Sequence, residues 1–403
     1  MSKVLYICQH YSNAKGSAGV RPYIMSQKLV AKGHEVTLLC GSYGGSETGL
    51  LEQKFVKGCR IGNIEGVKII EFEIPYSNKI SFVLRMIQFF KFSFKATWYA
   101  LTSKYDKIFC TSTPLTSAIP GILAKLFRQK EFILEIRDLW PELPVEMGVI
   151  SNKLIIFMLS TLEKISYSCA DKLIGLAPGI CQEIDMKTNN KKIFLVPNGS
   201  DKKIFFSKEN NFKLPNNIKD DDFLAVYAGT LGLANYLDPL ISVGNILKQK
   251  NVKNIKILII GDGREKKRLA NQCKVLELDN VIFLDPVNKI RLGKIFRRAN
   301  AGLQILADIK AFHYGTSPNK FFDYLAVGLP VIVNYEGWVA DLINEYKCGI
   351  SVSPNKPEYL AEALIRLSKD KNLDDMSQNS TYLSKLKFNW DQLSDDWVNI
   401  VIN

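Results

Sequence analysis

The chain is poor in histidine, with three, and its eight cysteines form no C-x-x-C pair. No H-E-x-x-H occurs either, so no transition-metal site is expected. Cys8, Cys40, Cys59, Cys110, Cys169, Cys181, Cys273 and Cys348 are scattered, several within apolar runs. They read as buried free thiols of a cytosolic protein, not as a disulfide framework. No G-x-G-x-x-G follows the first strand, which weakens a nicotinamide-dehydrogenase reading. G-x-x-x-x-G-K-[ST] is absent, which excludes a P-loop. No apolar stretch reaches membrane-spanning length without charges. No signal peptide is visible, because Met1-Ser2-Lys3 leads straight into a strand. Internal repeats and low-complexity tails are also missing.

What is present is a chain of 403 residues, 47% hydrophobic, ample for two domains. Its net charge of +13 favours anionic partners: nucleic acid, acidic lipid or phosphorylated substrates. The segment Ile80–Leu101 sets Arg85, Lys91 and Lys95 among Phe82, Phe89, Phe90, Phe92, Phe94, Trp98 and Tyr99. It reads either as a basic, aromatic helix lying in a membrane interface or as a core helix with snorkelling lysines. The interface reading is preferred.

Short Val/Ile/Leu-rich runs alternate with longer amphipathic ones. Strands are expected at Val4–Cys8, Val36–Cys40, Val67–Phe72, Lys107–Cys110, Phe132–Ile136, Leu173–Gly175 and Ile193–Val196. A polar stretch, Asp201–Asp222, interrupts the series. It restarts at Leu224–Ala228, Ile255–Ile260, Val281–Leu284, Gly302–Ile305, Val331–Val333 and Gly349–Val352. Continuous apolar strands separated by helices predict parallel sheets covered on both faces. The economical fold is α/β with two Rossmann-like halves joined near residue 200. Ligands of such sheets sit beyond the strands' C-terminal ends.

The run from Ser317 to Ile332 reads as a loop, a short helix and a buried strand. Ser317 suits the N-cap and Pro318 the first helical position, with Asn319 next. Gly328 suits the residue just past the helix. Lys320 is out of place, because a helix N-terminus favours negative charge. A cation there makes sense if an anion lies between it and the helix end. Asp323, three residues on, is a candidate hydroxyl acceptor on the same face. Together they suggest a nucleotide site; a surface helix with a stray lysine is the alternative.

Other loops carry weaker signals. The stretch after the first strand includes His10, Gly16, Gly19 and Arg21; it is basic and opens a helix. It can hold a phosphate, with Arg21 at the helix start, or be an ordinary mobile loop. Arg137 and Asp138 end a buried strand, where Asp138 can orient a proton or pair with Arg137. Gly261-Asp262-Gly263-Arg264 opens a helix, and Arg264 can reach a diphosphate or pair with Glu265. The backbone of Gly229 and Thr230 can line a nucleotide.

In their order and spacing these pieces resemble the retaining glycosyltransferases of family 4, which have the GT-B fold. Val196-Pro197-Asn198-Gly199-Ser200-Asp201, followed by Phe205, is similar to their interdomain V-P-N-G-V-D-x-x-x-F segment. Leu258–Gly263 with Asn280–Leu284 matches their next strand–helix–strand unit. The run Ser317–Ile332 is similar to their Glu-x7-Glu region, and Gly33–Val36 to their early part. Glu135–Glu142 and Ser317–Tyr324 look most like capsule and O-antigen enzymes resembling N-acetyl-L-fucosaminyltransferases.

The resemblance implies two facing Rossmann-like domains with a cleft: an acceptor-binding domain at 1–199 and a nucleotide-sugar domain at 200–380. A C-terminal helix in 381–403 is expected to pack back on the first domain. The second acid of Glu-x7-Glu falls on Asp323, whose implied role is ribose binding. The first falls on Gly315, which has no side chain. Thr230 takes the place of the family's diphosphate-binding Arg, so Lys320 and Arg264 are the expected substitutes. Val287 lies where the family binds the base through backbone. The implied donor is a UDP-sugar, transferred with retention and without a metal or other cofactor. Asp138 and Lys320 are the expected catalytic residues. Donor contacts are expected from Gly229, Thr230, Gly261, Gly263, Arg264, Val287, Ser317, Pro318, Asn319, Lys320 and Asp323; His10, Gly16, Gly19, Arg21 and Arg137 are expected to meet the acceptor. That acceptor is an undecaprenyl-diphosphate-linked sugar. The protein is expected in the cytoplasm, peripheral on the anionic inner face of the membrane, with no nucleic-acid partner. Rival readings are a sugar-nucleotide epimerase of the same fold and a non-catalytic protein binding anionic ligands.

Overall fold

The structure is a computed structural model that describes residues 1–403 except 14, 17, 18, 45, 77–79, 189, 190, 201 and 206–212. Parts of the expected phosphate-holding loop and of the polar stretch after residue 200, Asp201 included, therefore lie outside the described residues. The chain divides into two compact units. The first comprises Met1–Asn198, Gly315–Ser317 and Trp390–Asn403; the second comprises Gly199–Tyr314 and Pro318–Asn389.

The first unit is built on an eight-stranded sheet. In chain order its strands are β1 (Lys3–Ile7), β2 (Glu35–Tyr43), β3 (Cys59–Ile64), β4 (Val67–Tyr76), β5 (Lys107–Thr111), β6 (Glu131–Ile136), β7 (Lys172–Gly175) and β8 (Lys192–Leu195). Their spatial order is β3-β4-β2-β1-β5-β6-β7-β8. Every expected strand forms, and all neighbours are parallel except β3 and β4. The antiparallel β3 was not expected. It pairs with β4 through a turn in which Glu65 and Gly66 have φ of 50° and 86°. The central strands carry Leu5, Tyr6, Leu38, Phe109, Leu134 and Ile174, all buried, as strands covered on both faces should.

The last helix, Trp390–Ile402, belongs to this unit. Its Trp397 is fully buried against Tyr6 and Phe109, with ring centres 5.9 and 4.8 Å away. Asp395 pairs with Lys28 and Lys32, each at 2.8 Å. Residues 381–387 instead finish the Leu373–Lys387 helix of the second unit, so the returning segment starts at Trp390 rather than at 381.

The second unit holds a six-stranded sheet. Its strands are β9 (Phe223–Ala228), β10 (Ile255–Ile260), β11 (Val281–Leu284), β12 (Ala301–Gln304), β13 (Val331–Val333) and β14 (Gly349–Ser351). The order is β11-β10-β9-β12-β13-β14, all parallel. β9 is buried along its whole length, as the centre of a covered parallel sheet must be. Tyr324 fixes the Asn319–Ala326 helix to this sheet: its hydroxyl donates to the Val226 carbonyl at 3.2 Å and accepts from the Ala228 N–H. Gly328 ends the helix at φ 77°, a left-handed position that glycine adopts without a Cβ penalty.

All eight cysteines are free thiols, and Cys8, Cys40, Cys110, Cys273 and Cys348 are buried. Among the described residues no helix is long and apolar enough to cross a membrane.

Candidate functional site

In the second unit the loops beyond β9 and β10 are laced together. The Gly229 N–H donates to the Ile260 carbonyl at 2.9 Å, Leu231 to Asp262 at 3.0 Å, and Glu265 to the Leu231 carbonyl at 3.0 Å. The Gly261 N–H goes to Leu284 at 3.0 Å. These glycines serve close approach. A Cβ on Gly261 would meet the Gly229 carbonyl oxygen at 1.9 Å, and one on Gly263 the Leu231 oxygen at 2.2 Å. The expectation that the Gly229 N–H lines a nucleotide is corrected, because that N–H is already spent on the sheet, as is that of Gly261. The Gly263 N–H turns to the Asp262 side chain. Thr230 is exposed, and its carbonyl accepts from the Tyr227 hydroxyl at 2.9 Å.

Lys320 lies in the first turn of the Asn319–Ala326 helix, which has no acidic residue in that turn. Its Nζ donates to Asn235 Oδ1 at 3.1 Å and to Tyr227 Oη at 3.3 Å. It also sits 4.4 Å from the centre of the Tyr227 ring. No carboxylate pairs with it among the described residues. Burial without a compensating anion lowers its pKa from 10.5 to about 7. Two other cations beside these loops are neutralised: Lys266 pairs with Asp285 at 2.6 Å, and Arg268 with Asp238 at 2.7 Å and Glu265 at 2.6 Å. Arg264 is exposed; the partner of Glu265 is Arg268.

Pro318 takes the N-cap position and Asn319 is the first helical residue. The expected Ser317 cap is corrected. The Ser317 hydroxyl instead accepts from the Asn198 N–H at 2.9 Å, and its carbonyl from the Asn198 amide at 2.7 Å. Both residues belong to the first unit.

Asp323 is buried, ion-paired with Lys289, and accepts from Ser200 Oγ at 3.1 Å. Lys289 in turn lies 5.4 Å from the centre of the Phe205 ring. A carboxylate offers about four lone-pair directions, so these two contacts leave capacity for a hydroxyl donor. Lys289 escaped the sequence reading. Val287 is half-buried just ahead of it, and Asn288 caps the Lys289–Arg298 helix by accepting from the Arg291 N–H at 2.9 Å.

In the first unit Arg21 is corrected from acceptor ligand to structural clamp. Its side chain is fully buried. Nε and Nη2 donate to Glu135 Oε2 at 2.9 and 2.8 Å, and Nη2 also reaches the Val196 carbonyl at 2.9 Å. Nη1 donates to the Pro197 carbonyl at 2.7 Å and reaches Asn198 Oδ1 at 3.5 Å. The guanidinium donors are spent on tying β6 to the chain after β8.

His10 packs among Tyr76, Tyr43 and Phe89, with ring centres 4.6, 5.2 and 6.4 Å away. Burial, helped by the Arg137 charge, lowers its pKa to about 3, so the ring is neutral. Its Nδ1, the Gln9 amide and Thr113 Oγ1 find no partner among the described residues. Gly16 is buried, not mobile surface; a Cβ there would meet Ser12 Oγ at 2.1 Å. Gly19 is half-buried. The Arg137 N–H donates to Ser112 Oγ at 3.1 Å. Asp138 beside it makes no ion pair among the described residues, and burial raises its carboxyl pKa against the opposing Arg137 charge. Gly315 has room: a Cβ would meet only Leu139, at 3.6 Å.

Residues 208–382 match the family of glycosyl transferases group 1. A glycosyltransferase of Methanocaldococcus jannaschii described as uncharacterized, MJ1607, is 25% identical over 193 residues, 47% of each chain. The chain thus spans about half the length of this curated relative. Among solved structures, sucrose-phosphate synthase (tll1590) from Thermosynechococcus elongatus superimposes with a TM-score of 0.74 at 16% identity, covering 99% of this chain and 98% of that one. Anabaena Alr3699/HepE in complex with UDP and glucose gives 0.68 at 13%, covering 99% of each. WaaG, a glycosyltransferase involved in lipopolysaccharide biosynthesis, gives 0.69 at 14%, covering 99% of this chain and 100% of that one. The fold is GT-B, with one Rossmann-like sheet in each unit.

Proposed function

We propose that the protein is a retaining glycosyltransferase using a UDP-sugar, a reading supported by the match of residues 208–382 to glycosyl transferases group 1 and by the GT-B fold. The observation that carries this reading is Lys320. A half-buried ammonium at a helix start without a carboxylate is costly unless an anion completes its surroundings. A diphosphate supplies that anion, held between Lys320 and the helix N-terminus. The UDP and glucose in the HepE structure support a uridine diphosphate donor.

In this reading Lys320, the helix end and the exposed Arg264 offset charge on the departing diphosphate in place of a metal. Asp323, with Lys289 beside it, accepts from a ribose hydroxyl. Backbone around Val287 meets the base. No side-chain nucleophile is required: the leaving phosphate helps deprotonate the acceptor on the same face. Asp138 orients the acceptor hydroxyl, and His10 and Arg137 contribute to the acceptor side. The donor sugar is an N-acetylated amino-deoxy sugar such as N-acetyl-L-fucosamine. The acceptor is an undecaprenyl-diphosphate-linked saccharide of capsule or O-antigen synthesis, met at the inner membrane face.

Incubation with a panel of UDP-sugars and an undecaprenyl-diphosphate-linked saccharide, followed by mass spectrometry, tests the reading. UDP release with a glycosylated lipid product supports it. Intact donors across the panel, with no UDP binding, contradict it.

A further inference from the structure

The Phe82–Thr102, Ile119–Arg128 and Lys153–Cys169 helices pack side by side in the first unit, with Ile119–Arg128 in the middle. The inward face of Phe82–Thr102 is ordinary core: Phe89, Phe92, Ala96 and Ala100 are buried. The outward faces are not ordinary surface. Phe90, Phe94 and Trp98 are 53%, 74% and 68% exposed, and their spacing of four residues puts them on one stripe. Phe127 of the middle helix is 74% exposed, and Phe157 and Met158 of the third are 69% and 58% exposed. Three neighbouring helices thus each present large apolar or aromatic side chains to solvent, more than soluble monomers commonly do.

The charges on these helices are one-sided. Lys91, Lys153 and Lys164 are exposed. The only acid within the three helices is Glu163, which is buried and paired with Lys187 at 3.1 Å. Middle-helix cations hold the layer together: Lys125 pairs with Asp171 at 2.6 Å, and Arg128 donates to the Ala100 carbonyl at 2.8 Å. An apolar face carrying exposed lysines and no exposed acid complements an anionic lipid surface. A second copy of the same face would bring like charges together.

We infer that the outward faces of these three helices together seat the protein on an anionic bilayer, the aromatic side chains entering the interface and the lysines meeting lipid phosphates. The Phe82–Thr102 helix alone is one edge of the surface. This deepens the proposed reading and rests on it only for the purpose of docking, which is access to a lipid-linked acceptor.

Co-sedimentation of the full chain with phosphatidylcholine vesicles, with and without phosphatidylglycerol, tests it, with UDP calorimetry as a separate readout. The wild type should bind the phosphatidylglycerol vesicles. Phe127→Glu with Phe157→Glu, which leaves the first helix intact, should weaken that binding roughly tenfold or more. UDP affinity should be unchanged in the variant, which shows that it is folded. The inference is overturned if the wild type ignores the vesicles, or if the variant binds them as well as the wild type. It is equally overturned if sedimentation velocity shows a dimer that the two substitutions dissociate. Loss of UDP binding in the wild type with vesicle binding intact would contradict the sugar-transfer reading and leave the docking surface standing.

Discussion

The ammonium of Lys320 lies 3.1 Å from the Asn235 amide oxygen, and its pKa is drawn down to about 7 by burial. A neutral amide and a phenol soften that burial without neutralising the charge. If a diphosphate is the missing anion, its affinity follows Lys320 protonation. Affinity for a UDP-sugar, whose diphosphate does not titrate near neutrality, should fall as pH rises above about 7, by up to about tenfold per pH unit. It should level off below that pH. Calorimetry over a pH series checks this; a flat profile contradicts it.

The same burial affects stability. Lys320 has a folded pKa of about 7 against a normal 10.5, so between those values the unfolded chain binds more protons. This group's contribution therefore makes stability rise with pH across that window. Lys320→Met should stabilise the empty protein by about 1–2 kcal/mol at neutral pH while weakening donor binding. Urea unfolding measures it; a destabilised variant would mean that Lys320 is a structural residue.

Arg21 and Glu135 form a buried pair at 2.8 Å. Removing one partner leaves a buried charge unmatched, so Arg21→Met should cost about 3–5 kcal/mol in unfolding free energy. Any activity surviving at low temperature should keep its KM for the acceptor. A stable variant with a raised acceptor KM would restore Arg21 to the acceptor site.

Lys289 and Asp323 form the corresponding pair in the second unit. Lys289→Met should destabilise by roughly 2–4 kcal/mol, and Lys289→Met with Asp323→Leu by less than the two single changes summed. Additive losses in the unfolding cycle would show that the pair is not coupled.

Asp138 has a carboxyl pKa raised by burial and makes no ion pair among the described residues. Asp138→Asn should lower kcat by roughly a hundredfold or more, with UDP affinity unchanged. Steady-state kinetics beside calorimetry distinguishes this from a positional role: an unaltered kcat contradicts it.

The strands were legible because each is a continuous apolar run, and length and flanking turns separate such runs from helices. β3 was not, since Cys59–Ile64 is half-exposed and contains Asn63 and Gly62. The Glu65-Gly66 turn beside it was the signal that could have revealed it. Lys320 was legible because its charge contradicts its place in a helix. Its neighbours Tyr227 and Asn235 were not, being brought to it by the sheet from 93 and 85 residues away. Arg21 failed for the same reason. A basic residue opening a helix looks like an anion site until Glu135, 114 residues on, is seen to fill it. Gly229 and Gly261 were read as donor contacts, but a glycine needed for backbone approach leaves the same mark in sequence.

The most direct measurement is calorimetric titration of UDP into the wild-type chain and into Lys320→Ala. A charge-assisted contact to a diphosphate contributes about 1.5–3 kcal/mol, so the variant should bind roughly ten- to a hundredfold more weakly with its fold intact. Equal affinity for the two proteins, or no UDP binding by the wild type, would contradict the account.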